Sequence, residues 1–242
     1  MKETGKPMKV ALIPVVEIFN VSEQFPSPAN GPYWMYADEW EVWGRQSNVH
    51  AGFSETMVPY QKGGTLYTLD SLLDEDIWRI VQKELARYEP DDEEDTREED
   101  IQLGAFNGGY VLRVNEQDIY FPQCCGDLSD IGAWESLLEE EQIHFCTGHP
   151  SPHVVRNRSK ICFDFRHPSI NERFVPPVLV ATVEIEQEDL QTAIQQATQA
   201  LVAFMKRLAA IAADRQLPAQ YIAMWLVDER NTNARQSHFD TE

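Results

Sequence analysis

Leu190-x3-Ile194-x2-Ala197-x3-Leu201-x2-Phe204-x3-Leu208-x2-Ile211 places apolar residues in alternating steps of four and three. Residues three and four apart lie one above another on a helix, so the spacing describes a continuous apolar seam. It predicts a helix from about Glu188 to Arg215, roughly seven turns long, which Pro218 stops because it has no amide proton to donate. Ahead of this helix, Pro176-Pro177 deliver the chain to an expected strand, Val178–Ile185, with Leu179, Ala181, Val183 and Ile185 on one face. Behind it, Tyr221–Val227 is apolar on both faces, as a central strand covered on both sides would be. Strand, long helix and strand read as a βαβ unit, whose crossover should be right-handed if the strands are parallel. The seam could instead join two copies in a coiled-coil homodimer through the 190–211 helix. About three heptads is near the lower limit for that reading, and burial against the protein's own sheet is preferred.

Working back from this unit, Lys160–Arg166 alternates: Ile161, Phe163 and Phe165 share one side, Cys162 and Asp164 the other. Tyr110–Val114 and Asp118–Phe121 predict a hairpin around Asn115-Glu116-Gln117. A short helix should follow Ser129 or Asp130 as its cap, with Trp134, Leu137 and Leu138 on one side and Glu135, Glu139, Glu140 and Glu141 elsewhere. Ile143–Cys146 looks extended, and Gly148–His153 is irregular because Pro150 and Pro152 lie within it. A second main helix is expected after Asp70 or Asp74, with Leu73, Ile77, Ile80, Val81, Leu85 and Tyr88 in helical register and Pro90 ending it. Lys9–Phe19 reads as a first strand in which Pro14 implies an edge position or a bulge. Gly63-Gly64 marks a turn before a short strand within Tyr60–Leu69. The aromatic stretch Tyr33, Trp34, Tyr36, Trp40 and Trp43, mixed with Asp38, Glu39 and Glu41, is expected to pack under a sheet. A surface for a cationic or sugar-like ligand is its alternative.

These elements predict a single α+β domain over residues 1–242. Its sheet is mixed but mostly antiparallel, with a C-terminal βαβ unit and two main helices. Residues 89–100, with the run Asp91–Asp100, read as an acidic mobile loop, because like charges repel and solvate the chain. A calcium site there is disfavoured, since the alternating oxygen ligands and central glycine are missing. Residues 228–242 read as a polar C-terminal tail.

The 242-residue chain is long enough to bury a core without staples. Forty acidic residues oppose twenty basic ones, a formal charge of -20. Nucleic acid is therefore excluded as an expected ligand, for want of clustered Lys and Arg. A basic protein, a cation or a divalent metal suits the field better. Val10–Val16, interrupted by Pro14 and closed by Glu17, is too short for a span and lacks a cleavage site. No membrane association and a cytoplasmic location are expected, with reduced thiols.

Chemistry, if present, is expected between Tyr120 and His167, which holds Cys124, Cys125, Cys146, Cys162, His144, His149, His153 and His167. Cys124, Cys125, Cys146, His149 and His153 are the candidate ligands of a zinc ion, since zinc takes imidazole and thiolate. Their spacing matches no finger, ribbon or His-Glu-x-x-His pattern. The same region could hold a thiol nucleophile at Cys124 or Cys125, with a loop histidine as base and Asp127 or Asp130 orienting it. No Gly-x-Ser-x-Gly, phosphate-loop or dinucleotide fingerprint occurs. The preferred expectation is a protein-binding protein without cofactor or catalysis. It would neutralise a basic partner in the manner of an immunity protein or antitoxin, an analogy of charge and class. Asp127, Asp130, Trp134, Glu135 and Glu139 are its candidate binding residues.

Overall fold

The computed structural model describes residues 8–87, 104–139, 145–218, 222–223 and 226–227. The fold is α+β. Its elements run β1 (Val10–Glu17), α1 (Ala37–His50), β2 (Leu66–Thr68), α2 (Asp74–Arg87), β3 (Gly108–Val114), β4 (Gln117–Tyr120), a 3-10 turn (Leu128–Asp130), α3 (Ile131–Glu139), β5 (His153–Asn157), β6 (Lys160–Asp164), β7 (Thr182–Glu186) and α4 (Gln187–Ala213). Strands fall into two sheets, in the orders β2-β1-β3-β4 and β5-β6-β7, where one sheet was expected. β1 with β2, β3 with β4, β5 with β6 and β6 with β7 all pair antiparallel. Contacts gather in two compact units, Met1–Pro14 with Asn107–Leu201, and Val15–Phe106 with Val202–Glu242.

In the first unit, β3 and β4 close through Asn115 and Glu116, with φ of 51° and 67°. Val114 pairs with Gln117, so the loop has two residues rather than the expected three. Two left-handed residues give the type I′ turn whose twist suits a hairpin. β6 alternates as its sequence requires, with Ile161 and Phe163 buried between half-buried neighbours. The Phe163 ring meets α3, where Trp134 lies 5.7 Å from it and 4.8 Å from Phe145, ring centre to ring centre. A second aromatic group joins Tyr120, Phe165 and Phe174 at 5.7 to 6.1 Å. β7 is shorter than expected and begins at Thr182. Leu179, assigned inward by alternation, is 87% exposed.

In the second unit, α1 is a helix that the aromatic spacing did not announce. Trp43 is buried and donates its indole N–H to Phe25 O at 2.8 Å. Two further inward positions of α1 are polar, Ser47 and Asn48. Asn48 donates to Tyr67 Oη at 2.9 Å and accepts from Asn20 Nδ2 at 2.7 Å, so this helix meets the core through a satisfied amide. α2 buries Ile77, Ile80 and Val81 of its predicted register and half-buries Leu85, whereas Leu73 precedes the helix and is exposed, and Tyr88 and Pro90 lie outside the described residues. Its start is held by Arg207 of α4, whose guanidinium reaches Leu72 O at 2.6 Å and Asp74 Oδ1 at 2.5 Å. Pro14 is not on an edge strand, since β1 lies between β2 and β3. The three-residue β2 begins its register at Val15, so on that side nothing pairs at Pro14 and no missing N–H is felt.

α4 buries all seven seam residues, Leu190, Ile194, Ala197, Leu201, Phe204, Leu208 and Ile211. The strand expected at Tyr221–Val227 is not formed where it is described: Ile222, Ala223, Leu226 and Val227 are helical. They are also buried. A short run that is apolar throughout fits either periodicity, and here the helix prevails. Among the described residues, the C-terminal part is thus strand then helix, without the return strand. The acidic run at Asp91–Asp100, the residues Glu140, Glu141, Ile143 and His144, and the 228–242 tail lie outside the described residues.

Trp134 is 1% exposed at the junction of α3 and β6, so Trp134→Ala should lower stability by about 3–5 kcal/mol. Urea denaturation followed by near-ultraviolet circular dichroism measures it. A loss below about 1 kcal/mol would remove this ring from the core account.

Candidate functional site

The sheet strand β4 ends at Tyr120, and the chain turns immediately. Gly126 N donates to Gln123 O at 3.0 Å, and Cys125 has φ of 67°, with Cys124 and Cys125 at the two corner positions. This is a type II arrangement, whose third residue is ordinarily glycine. The turn is tied down on every side. Cys124 O accepts from His149 N at 2.9 Å, and Gly126 O accepts from Gly108 N at 2.9 Å. The buried Gln123 amide donates to Phe121 O at 2.8 Å and Val175 O at 3.1 Å, and accepts from Val175 N at 2.9 Å. Gly148 has φ of +95°, and a Cβ there would stand 2.6 Å from Cys124 O. No side chain fits between the two loops at that point.

Both thiols project from this frame into solvent, with their Sγ atoms 3.5 Å apart. Cys146 is also exposed. Cys162 lies on β6, where burial first, and then the charges of Glu184 and Asp164, push its thiol up. That shift disfavours its thiolate, the reactive form.

Below the turn, Asp127 is the cap of the 3-10 turn that leads into α3, replacing the expected Ser129 or Asp130. Its Oδ1 accepts from Ser129 N at 2.7 Å and Ser129 Oγ at 2.6 Å. Asp130 Oδ2 accepts from Asp127 N at 3.1 Å and completes a capping box. Desolvation pushes the Asp130 carboxyl up to about 7 and the Asp127 charge adds to this, while the bond from Asp127 N opposes it. A second polar chain runs beside the turn. Tyr120 Oη lies 3.1 Å from Thr147 Oγ1, Thr147 N donates to Ser151 Oγ at 3.0 Å, and Ser151 Oγ donates to Gly148 O at 2.7 Å. Burial holds the Tyr120 phenol far above its ordinary value, so it acts as a neutral hydroxyl.

The structure brings some predicted residues together and separates others. Cys124 and His149 meet, but through their backbones. His153 opens β5 opposite Asp164. Asp164 is held well below the usual carboxylate range by bonds from Arg166, chiefly from its side chain, and His167 Nδ1 lies 3.1 Å from it. Among the described residues, no three His, Cys, Asp or Glu side chains gather in a group that could hold a metal ion. Cys124, Cys125, Cys146, His149 and His153 therefore do not form the shared zinc set, because the turn and β5 direct them to different places. Asp127 and Asp130 are occupied in capping. Trp134 is buried in the aromatic core and offers a partner no surface, whereas Glu135 is half-buried and Glu139 exposed.

A further feature lies at the aromatic and acidic stretch, which was expected to pack under a sheet and had a ligand surface as its alternative. In the second unit, a groove of about 500 Å³ lies between the Gln24–Pro28 segment and α1, lined by Phe25, Pro26, Asp38, Glu39, Val42 and Gln46 among others. Asp38 pairs with Lys62, and Glu39 accepts from Asn30 Nδ2 at 3.0 and 3.1 Å. The turn entering α1 exposes Trp34, Met35 and Tyr36. A mixed aromatic and acidic composition was the available signal. Comparison with protein-family models, curated proteins and solved structures finds no match for this chain. Among the described residues, no helix is long and apolar enough to cross a membrane.

Asp130, raised to about 7 in the fold against an ordinary value of 3.8, binds more protons folded than unfolded between those values. Stability must then fall as pH rises through that window. Asp130→Asn keeps the acceptor for Asp127 N but cannot ionise. Thermal unfolding at pH 4 and pH 7.5 should show the wild type losing stability relative to this variant, and an unchanged difference would refute the shift. Gly148→Ala should lower stability by about 1–3 kcal/mol, from the close approach to Cys124 O and the left-handed φ. A neutral result in denaturant titration would show that the two loops can part.

Proposed function

We propose that this chain is an acidic binding protein, without catalysis of its own, that neutralises a basic protein partner. The formal charge of -20 carries the reading. Such a field draws a cationic partner in and raises the rate of encounter. Capping by Asp127 and Asp130, together with the burial of Trp134, leaves Glu135 and Glu139 as the contributors from the α3 region. The α1 groove has the better combination for docking, with Asp38 and Glu39 beside Phe25, Pro26 and Val42. Carboxylates there would choose a Lys- or Arg-bearing segment. Apolar neighbours would cover its side-chain stems.

The test immobilises the full chain and challenges it with lysate of its source cells at about 20 mM salt and then about 200 mM, one side and the other of strong screening. A basic protein should be retained at low salt, and its affinity should fall roughly tenfold or more at high salt. Asp38→Lys with Glu39→Lys should weaken retention of that same protein further. Recovery of no basic protein at low salt, or capture indifferent to both salt and charge reversal, would refute the proposal.

A further inference from the structure

The Cys124-Cys125 turn combines three features that together describe a ligand site. The sulfurs are 3.5 Å apart, both side chains are exposed, and the turn's backbone is bonded to His149 and Gly108. Adjacent Cα atoms lie about 3.8 Å apart across a trans peptide, whereas an ordinary disulfide spans about 4.4–6.8 Å. The pair is thus poorly placed to close on itself. An atom bound at about 2.3 Å from both sulfurs, the length of a zinc–thiolate bond, would subtend an S–X–S angle of about 100° at the observed separation. That angle suits a tetrahedral or pyramidal centre with no movement of the turn.

The backbone supports the same reading. Cys125 holds φ of 67° at a position where glycine would rest without strain, so its side chain is retained at a conformational cost. Among the described residues, no third His, Cys, Asp or Glu joins the pair as a metal-binding group. A two-sulfur site of this kind leaves its occupant's remaining positions to solvent or to other ligands. It also favours soft centres, which thiolates prefer.

We propose that Cys124 and Cys125 form a two-sulfur chelate for a soft, thiophilic centre such as a trivalent arsenical. With an aryl arsenoxide, two As–S bonds form and the As=O bond breaks. The two thiol protons leave with the oxygen as water, and no oxidation state changes.

The probe is phenylarsine oxide added to the reduced full chain, read by intact-mass spectrometry under native conditions. One adduct per chain should form with loss of one water. It should survive about a hundredfold excess of 2-mercaptoethanol, since the second sulfur re-forms its bond at high effective concentration, and be stripped by 2,3-dimercaptopropanol. Cys124→Ser and Cys125→Ser should each abolish the retained adduct, while Cys146→Ser combined with Cys162→Ser should keep it. Cys125→Gly relieves the strained φ and so guards against misfolding as the explanation. It should fold at least as well as the wild type and still lose the retained adduct. The proposal is overturned by absence of an adduct on the native protein, by its release with the monothiol, or by its survival in any variant lacking Cys124 or Cys125.

Discussion

The side chain of Gln123 holds together two pieces of chain, its own segment after β4 and the one at Val175, that have no regular structure of their own. Its amide N–H groups reach the carbonyls of Phe121 and Val175, and its oxygen takes the N–H of Val175. A buried amide left without partners costs on the order of 1–3 kcal/mol, so these bonds stabilise one arrangement by making the others expensive. The turn at Cys124 and Cys125 is fixed as a consequence. With Gln123 anchored on one side and His149 N on Cys124 O on the other, the corner residues cannot swing away. Exposure and rigidity are then compatible, because the backbone is immobilised by buried bonds while the thiols face water.

The acids next to this turn illustrate how a carboxylate is spent on structure. Asp127 and Asp130 satisfy N–H groups at the start of the 3-10 turn and α3, where orphan donors would otherwise remain. Asp127 takes two hydrogen bonds from Ser129, on one carboxylate oxygen. Asp130 accepts the Asp127 N–H while desolvated beside a like charge, and that combination favours its protonated form. A residue that looks on paper like an orienting group for a nucleophile is thereby committed to the helix start. The same sequence segment supplies the reason, since Asp-x-x-Asp ahead of an apolar helix fits a capping box as well as an active site.

Legibility followed the length and cleanness of each periodic signal. The α4 seam extends over seven apolar positions, all buried, and β6 alternates without exception. Both were readable because one period alone fits them. α1 was not, since its inward face includes the polar Ser47 and Asn48, and the burial of Asn48 depends on hydrogen-bonding partners distant in sequence, Asn20 and Tyr67. The final segment failed differently: Ile222, Ala223, Leu226 and Val227 sit in a run apolar at nearly every position, which carries no period to read. β7 was overextended because Leu179 continues the alternation beyond the ladder. At the site, the cysteine and histidine density was visible, but convergence is a property of turns. The left-handed Cys125 and the Gly148 approach have no signature in residue type.

The acidic excess follows from the same separation between core and surface. Asp76 is the one acidic residue in the buried set among the described residues. It can be there because Ser54 N and Leu73 N donate to its two oxygens, at 2.7 and 3.3 Å. A carboxylate without such donors would face a desolvation cost of several kcal/mol, and the other described acids are half-buried or exposed, outside the core of Trp134, Phe163 and the α4 seam. Crowding them at the surface destabilises the fold through mutual repulsion, an effect that salt weakens. A bound cation lowers that repulsion at every carboxylate within a Debye length, including those it does not touch. The field of this chain therefore reaches over long range and without geometric precision. Binding at the groove of α1 or at the Cys124 turn, as proposed, would by contrast need contact distance. Field and contact are thus separable properties of the surface, the first set by net charge and the second by the carboxylates and apolar side chains that line one groove.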